Sequence, residues 1–170
     1  MLEKIGLRFN IIETTQKEKY PISLKEDEIA MFLAKEKNIK SQIKRDQLII
    51  TADTIVISND IILNKPKDKE DAFNMLYALS KKWHKVITGV YIRTINQTIA
   101  FSCETKVNFR ALSKSEIQYY INNYNYLDKA GSYAIQEWIG MIGVEKIDGC
   151  YYNVMGLPLS KLYQELKKIT

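Results

Sequence analysis

Asp53 lies inside the apolar run LIITADTIVI, residues 48–57, which reads as a strand buried on both faces. An ionised carboxylate in such a run is costly unless a cation, a metal or hydrogen-bond donors compensate its charge. Further along stands Lys65-Pro66, after Ser58-Asn59-Asp60, where a turn would fold residues 61–63 back beside residues 55–57 and return Lys65 toward Asp53. A carboxylate near a fixed ammonium suits a site for a metal and a phosphate chain. It equally suits a structural ion pair, and these residues leave the two open.

Lys37 falls four residues after Leu33, on the inward face of a helix that the Ser23/Glu26 pair would cap and that runs to about Lys40. Its head either snorkels to water or meets an anionic ligand. The stretch DKAGSYAIQEWIG, residues 128–140, carries small residues, a charged pair and an amide, which is loop chemistry. Gln136 there donates and accepts at once, so it could read a nucleobase edge or simply brace the loop. His84, alone at a strand entrance, reads as structural. With one His, two Cys and no Cys-x-x-Cys, a metal must sit on oxygen ligands, which favours magnesium or manganese.

The elements that must position these residues follow from periodicity. Residues 1–6 read as the end of a helix stopped by Gly6, and residues 7–12 as a short strand leading to Glu13. Asp68 opens an amphipathic helix carrying Ala72, Met75, Leu76 and Leu79 at helical spacing. Residues 86–92, 98–101 and 105–110 read as strands, with Thr105, Val107 and Phe109 inward. Ser113 with Glu116 caps a helix whose stripe is Ile117, Tyr120, Ile121 and Tyr124, the tyrosines being core or rim. Residues 142–147 and 150–155 read as a hairpin turning at Asp148-Gly149. A last helix starts near Pro158, with Leu159, Leu162, Tyr163, Leu166 and Ile169 inward. The expected class is α/β or α+β with a mixed sheet.

The 170 residues, 46% of them apolar, make one domain that can bury a core. No apolar run is long enough to span a bilayer and residues 1–4 do not begin a signal peptide, so a cytoplasmic protein is expected, with no membrane partner. A net charge of +5 is compatible with anionic partners. The lysines are scattered over what read as solvated faces and no groove-reading motif is present, so no nucleic-acid partner is expected. Oligomeric state is not legible, which leaves room for a homodimer.

The order of segments resembles the Maf family of nucleoside triphosphate pyrophosphatases. The residues that carry the resemblance are Glu13; Leu33-Ala34 with Lys37; Ala52-Asp53-Thr54; Lys65-Pro66; Asp71-Ala72 with Met75-Leu76; Leu79-Ser80 and His84; Thr88-Gly89-Val90; Phe109-Arg110; Asp128-Lys129-Ala130-Gly131 with Tyr133, Ile135 and Gln136; and Tyr152-Asn153-Val154 with Gly156-Leu157-Pro158-Leu159. The resemblance implies an α/β fold of the Maf/inosine-triphosphatase-like kind, with flanking helices and two lobes of a curved mixed sheet around a central cleft. It also implies hydrolysis of a nucleoside triphosphate, dTTP and UTP foremost and modified nucleotides besides, to the monophosphate and pyrophosphate. Carried onto this sequence, Asp53 is the proton acceptor, Glu13 and Asp53 hold a divalent metal, Lys37 and Lys65 neutralise the triphosphate, and Thr54 and Gln136 select the base.

The family opens with a Leu-Ala-Ser-x-Ser-Pro-Arg-Arg-like motif, which this chain lacks, so the expectation is one Maf-like domain over residues 1–170, truncated at its N-terminus. Either the start is misassigned, or the chain is a catalytically impaired nucleotide-binding or regulatory homologue. The 170-residue form itself is expected to be weakly active or inactive. Lys81, Ala134 and Glu137 stand where the family usually has Gly, and Glu137 could bring a negative charge near the site.

Overall fold

The computed structural model describes residues 1–12 and 19–169. Six α-helices and five strands alternate along them: α1 Glu26–Ile39, β1 Ile49–Ser58, β2 Ile61–Leu63, α2 Lys69–Leu79, β3 Trp83–Arg93, β4 Thr98–Phe109, α3 Lys114–Asn123, α4 Trp138–Gly143, β5 Val144–Asp148, α5 Tyr151–Val154 and α6 Leu159–Leu166. The strands form one sheet in the order β2-β1-β3-β4-β5. The sheet is antiparallel, where a mixed sheet was expected. Tight turns set two of its pairings: Asn59-Asp60, with φ of 51° and 60°, joins β1 to β2, and residues 94–97 join β3 to β4. No helix among the described residues is long and apolar enough to cross a membrane.

The chain packs as two compact units, Met1–Asp53 with Thr88–Cys103 and Gly156–Thr170 in one, and Thr54–Ile87 with Glu104–Met155 in the other. In the first, Val90, Ile92, Phe101, Leu157, Leu159 and Leu162 form a buried cluster, joined by Ile50, Ala52, Leu2 and Ile5. Leu162 is fully buried on α6, but Tyr163 is largely exposed, a correction to the expected inward stripe. Residues 7–12 form no strand: their alternation meets no ladder, and Ile11 and Ile12 are exposed. The N-terminus of α1 is also displaced from the Ser23/Glu26 expectation. Lys25 is its N-cap residue, and its N–H donates to the Glu28 carboxylate at 2.8 Å.

The core of the second unit joins α2, α3 and α4 through Leu76, Leu79, Phe109, Ile117, Tyr120 and Ile139. The expected capping box of α3 is present, with the Ser113 N–H donating to Glu116 at 2.7 Å and the Glu116 N–H to Ser113 Oγ at 3.2 Å. Two expectations fail here. Residues 142–143 finish α4 rather than begin β5, and Tyr151–Val154 is a helical turn rather than a strand. The cause of the second is Thr105, buried on β4, whose hydroxyl donates to the Cys150 carbonyl and accepts from the Cys150 N–H. Asn153 Nδ2 then donates to both Thr105 Oγ1 and the Val86 carbonyl at 3.0 Å. A buried amide nitrogen bonded twice in this way outweighs the strand propensity of Tyr-Tyr-Asn-Val. Lys81 sits at φ 57°, a left-handed conformation that a side chain disfavours.

Candidate active site

In the first unit, Thr51 and Asp53 leave β1 on the same side, since strand side chains alternate, and that side faces α1. Thr51 Oγ1 donates to the Ala34 carbonyl at 2.7 Å, and the Asp53 carboxylate meets Lys37 Nζ at 2.5 Å. Asp53 is 8% exposed. Its compensating cation therefore comes from α1. The turn between β1 and β2 is as expected, and their ladder closes at Val56↔Leu63.

Two local features set this approach. Gly89 lets α1 lie directly on β3: a Cβ there would fall 2.3 Å from the Ala30 carbonyl carbon. At the other end of the helix, the buried Asn38 donates to the carbonyls of Ile49 and Tyr91 at 3.2 and 3.1 Å. Arg93 Nε donates back to Asn38 Oδ1 at 2.8 Å, and its Nη2 to the carbonyls of Asn38 and Ser41. The last turn of α1, and with it Lys37, is thus tied to β1 and β3 by side-chain bonds that strand and helix periodicity cannot reveal. Asn38 follows the inward Lys37 directly, and an inward amide next to a helix end was the available signal.

In the second unit, Thr54 is half-buried on β1, while Lys65 and Gln136 are exposed. Burial raises the Asp128 carboxyl, but hydrogen bonding and charge from Lys129, with the charge of Lys65, outweigh it and leave its pKa below the ordinary value. Gln136 occupies a turn between Tyr133 and α4. No side-chain hydrogen bond joins it to another described residue. His84 is structural, as expected: its Nε2 lies 2.7 Å from the Tyr133 hydroxyl and its ring stacks on Phe109. Burial lowers its pKa to about 4, so it is neutral at pH 7. Burial also pushes the Tyr133 hydroxyl up, so that group stays protonated.

Glu13 lies outside the described residues. Among the described residues there is no cluster of three His, Cys, Asp or Glu side chains able to cage a metal. A single buried carboxylate is the donor set that suits magnesium, which keeps several waters and binds through one or two carboxylates together with substrate phosphates. A cavity of about 520 Å³ opens in the second unit by the β1–β2 turn, lined by Asp60, Trp83, Lys85, Lys106 and Asp148 among others. It includes none of the site residues expected from the sequence, and Lys106 and Asp148 face each other across β4 and β5.

The family profile described as Maf-like protein matches residues 1–169. A dTTP/UTP pyrophosphatase of Phocaeicola vulgatus is 47% identical over 176 residues, covering 99% of this chain and 89% of the relative. One from Parabacteroides distasonis is 51% identical over 152 residues, covering 88% and 79%. One from Cytophaga hutchinsonii is 46% identical over 171 residues, covering 99% and 78%. The residues that hold Asp53 under α1 therefore sit in a chain alike to these proteins along nearly its whole length, and this chain belongs to the Maf family.

Proposed function

We propose that this protein hydrolyses dTTP and UTP to the monophosphate and pyrophosphate, acting on cytoplasmic nucleotides. One observation carries the reading: an acidic side chain kept in an apolar strand, compensated by a lysine at 2.5 Å, at the Ala52-Asp53-Thr54 position of a family whose similar members are dTTP/UTP pyrophosphatases.

In the proposed reaction, water attacks the α-phosphorus and the bond from that phosphorus to the α,β-bridging oxygen breaks, leaving its electron pair on pyrophosphate. Asp53 accepts the proton of the attacking water. Lys37 compensates the carboxylate in the resting protein and, with Lys65, supplies positive charge for the phosphates. Glu13 and Asp53 would hold a magnesium or manganese ion, which supplies Lewis-acid stabilisation of charge on the phosphate oxygens when bound. Thr54 and Gln136 would meet the base, the amide offering one donor and one acceptor to a pyrimidine edge.

The test is hydrolysis of dTTP in ¹⁸O-labelled water with magnesium present, followed by phosphorus NMR. Label in the monophosphate, with pyrophosphate unlabelled, is expected. Label in pyrophosphate, or orthophosphate as the first product, would overturn the assignment of the attacked phosphorus. Nucleotide binding without any turnover would favour a regulatory binding protein instead.

A further inference from the structure

We infer that Tyr120 is a positioning residue for base selection, because its single hydroxyl ties together both ends of the turn that presents Gln136. The inference rests on the reading of Gln136 as a group that meets the base.

The turn runs from Ala134 to Glu137 and is closed by the Glu137 N–H donating to the Ala134 carbonyl at 3.1 Å. Tyr120 Oη accepts from the Ala134 N–H at 3.3 Å and donates to the Glu137 carboxylate. Both termini of the turn therefore meet on one oxygen. That oxygen is itself fixed, because Tyr120 is fully buried on α3 within the core of the second unit. Burial raises its pKa far above the ordinary tyrosine value, and Glu137 raises it further, so the group stays protonated and keeps donating.

The remaining members of the turn are held as well. Ile135 is buried, and Gly140 lets the first turn of α4 reach its carbonyl, since a Cβ there would fall 2.1 Å from the Ile135 oxygen. The other oxygen of Glu137 faces Lys129 Nζ at 3.5 Å, and Lys129 in turn donates to the Asn125 carbonyl and to Asp128. Only Gln136 of the four turn residues is exposed. A reading group held on a turn whose other members are pinned is preorganised, so little ordering remains when a ligand arrives. Glu137, which from the sequence looked like a stray negative charge in place of the family's glycine, has its charge taken up by Tyr120 and Lys129.

The experiment compares KM, kcat and the preference for UTP over CTP in the wild type, Gln136→Ala, Tyr120→Phe, Glu137→Gly and Glu137→Gln, with a thermal melt of each. Removing one hydrogen bond of this kind should raise KM for dTTP and narrow the UTP preference by about tenfold in Tyr120→Phe. Saturating kcat should stay within about twofold, because the reacting groups are untouched. Glu137→Gly should share the loss. Glu137→Gln, whose amide oxygen still accepts from Tyr120, should recover most of the preference, which a general loss of stability would not produce. Should Tyr120→Phe fail to fold, the two Glu137 variants carry the comparison. Wild-type preference in Tyr120→Phe and Glu137→Gly, alongside lost preference in Gln136→Ala, overturns the role of Tyr120 and leaves that of Gln136 standing. Unchanged preference in Gln136→Ala overturns both.

Discussion

In the first unit Asp53 is 8% exposed with a lysine ammonium at 2.5 Å, whereas in the second Gln136 projects from a turn whose neighbours are tied down by a tyrosine hydroxyl. One unit holds a buried carboxylate against a largely buried ammonium, while the other offers an uncharged amide to solvent from a turn braced by a tyrosine hydroxyl and an ion pair. The first arrangement suits proton and phosphate chemistry, in which charge is created and moved. The second suits recognition, in which donor and acceptor positions matter more than charge. Glycines serve both in one way, with Gly89 admitting α1 to β3 and Gly140 admitting α4 to the turn.

If the first unit rests on compensated charge, removing one partner should do the most damage. Lys37→Met is expected to lower stability by about 3–5 kcal/mol, the usual result of stripping the cation from a buried pair. Gln136→Ala, at an exposed position, should change stability by less than about 0.5 kcal/mol. Urea unfolding of both variants checks the contrast, and equal losses would erase it.

The neutral imidazole buried in the second unit has a pH signature. The His84 pKa falls from an ordinary 6.5 to about 4 on burial. The unfolded chain therefore binds the proton first as the pH drops, so this contribution to stability is whole above pH 6.5 and is lost progressively toward pH 4. The loss should reach about 3 kcal/mol. In His84→Phe the part of the slope between pH 6.5 and 4 that belongs to this residue should vanish, and a slope that survives intact would contradict the assignment.

Gly89→Ala and Gly140→Ala should each cost about 2–3 kcal/mol, because backbone must move to admit the methyl group. Their kinetic effects should diverge. The first should lower kcat by shifting Lys37 from Asp53, and the second should raise KM through the Gln136 turn. Identical kinetic profiles would argue against separate roles for the units. Smallest of all, Lys81→Gly should stabilise the protein by about 1 kcal/mol, since residue 81 sits at φ 57°. Thermal melting would register the change.

Much of the fold was legible because its signals are local. The helical spacing of Ala72, Leu76 and Leu79 and the Ser113–Glu116 box gave α2 and α3, and Asn59-Asp60 gave the first turn. The misread elements are those decided by distant partners. Tyr151–Val154 is helical because Thr105 and Val86, far away in sequence, bond the Cys150 backbone and the Asn153 amide nitrogen. Residues 7–12 alternate like a strand but form no ladder. At the site, the need of Asp53 for a cation was readable from its aliphatic neighbours. That the cation is Lys37 depends on α1 lying on Gly89, a close approach that no spacing encodes. Tyr120 could have been suspected, because a tyrosine on a fully apolar stripe must find a partner for its hydroxyl, and Glu137 was already an oddity of the second stretch.

The central claim is that Asp53 takes the proton of the attacking water, and the rate of pyrophosphate release from dTTP and UTP tests it when wild-type protein is compared with Asp53→Asn and nucleotide affinity is measured on both. The expected result is a fall in rate of about a thousandfold in Asp53→Asn, within the range for loss of a general base, with nucleotide still bound. Equal rates in the two proteins would contradict it.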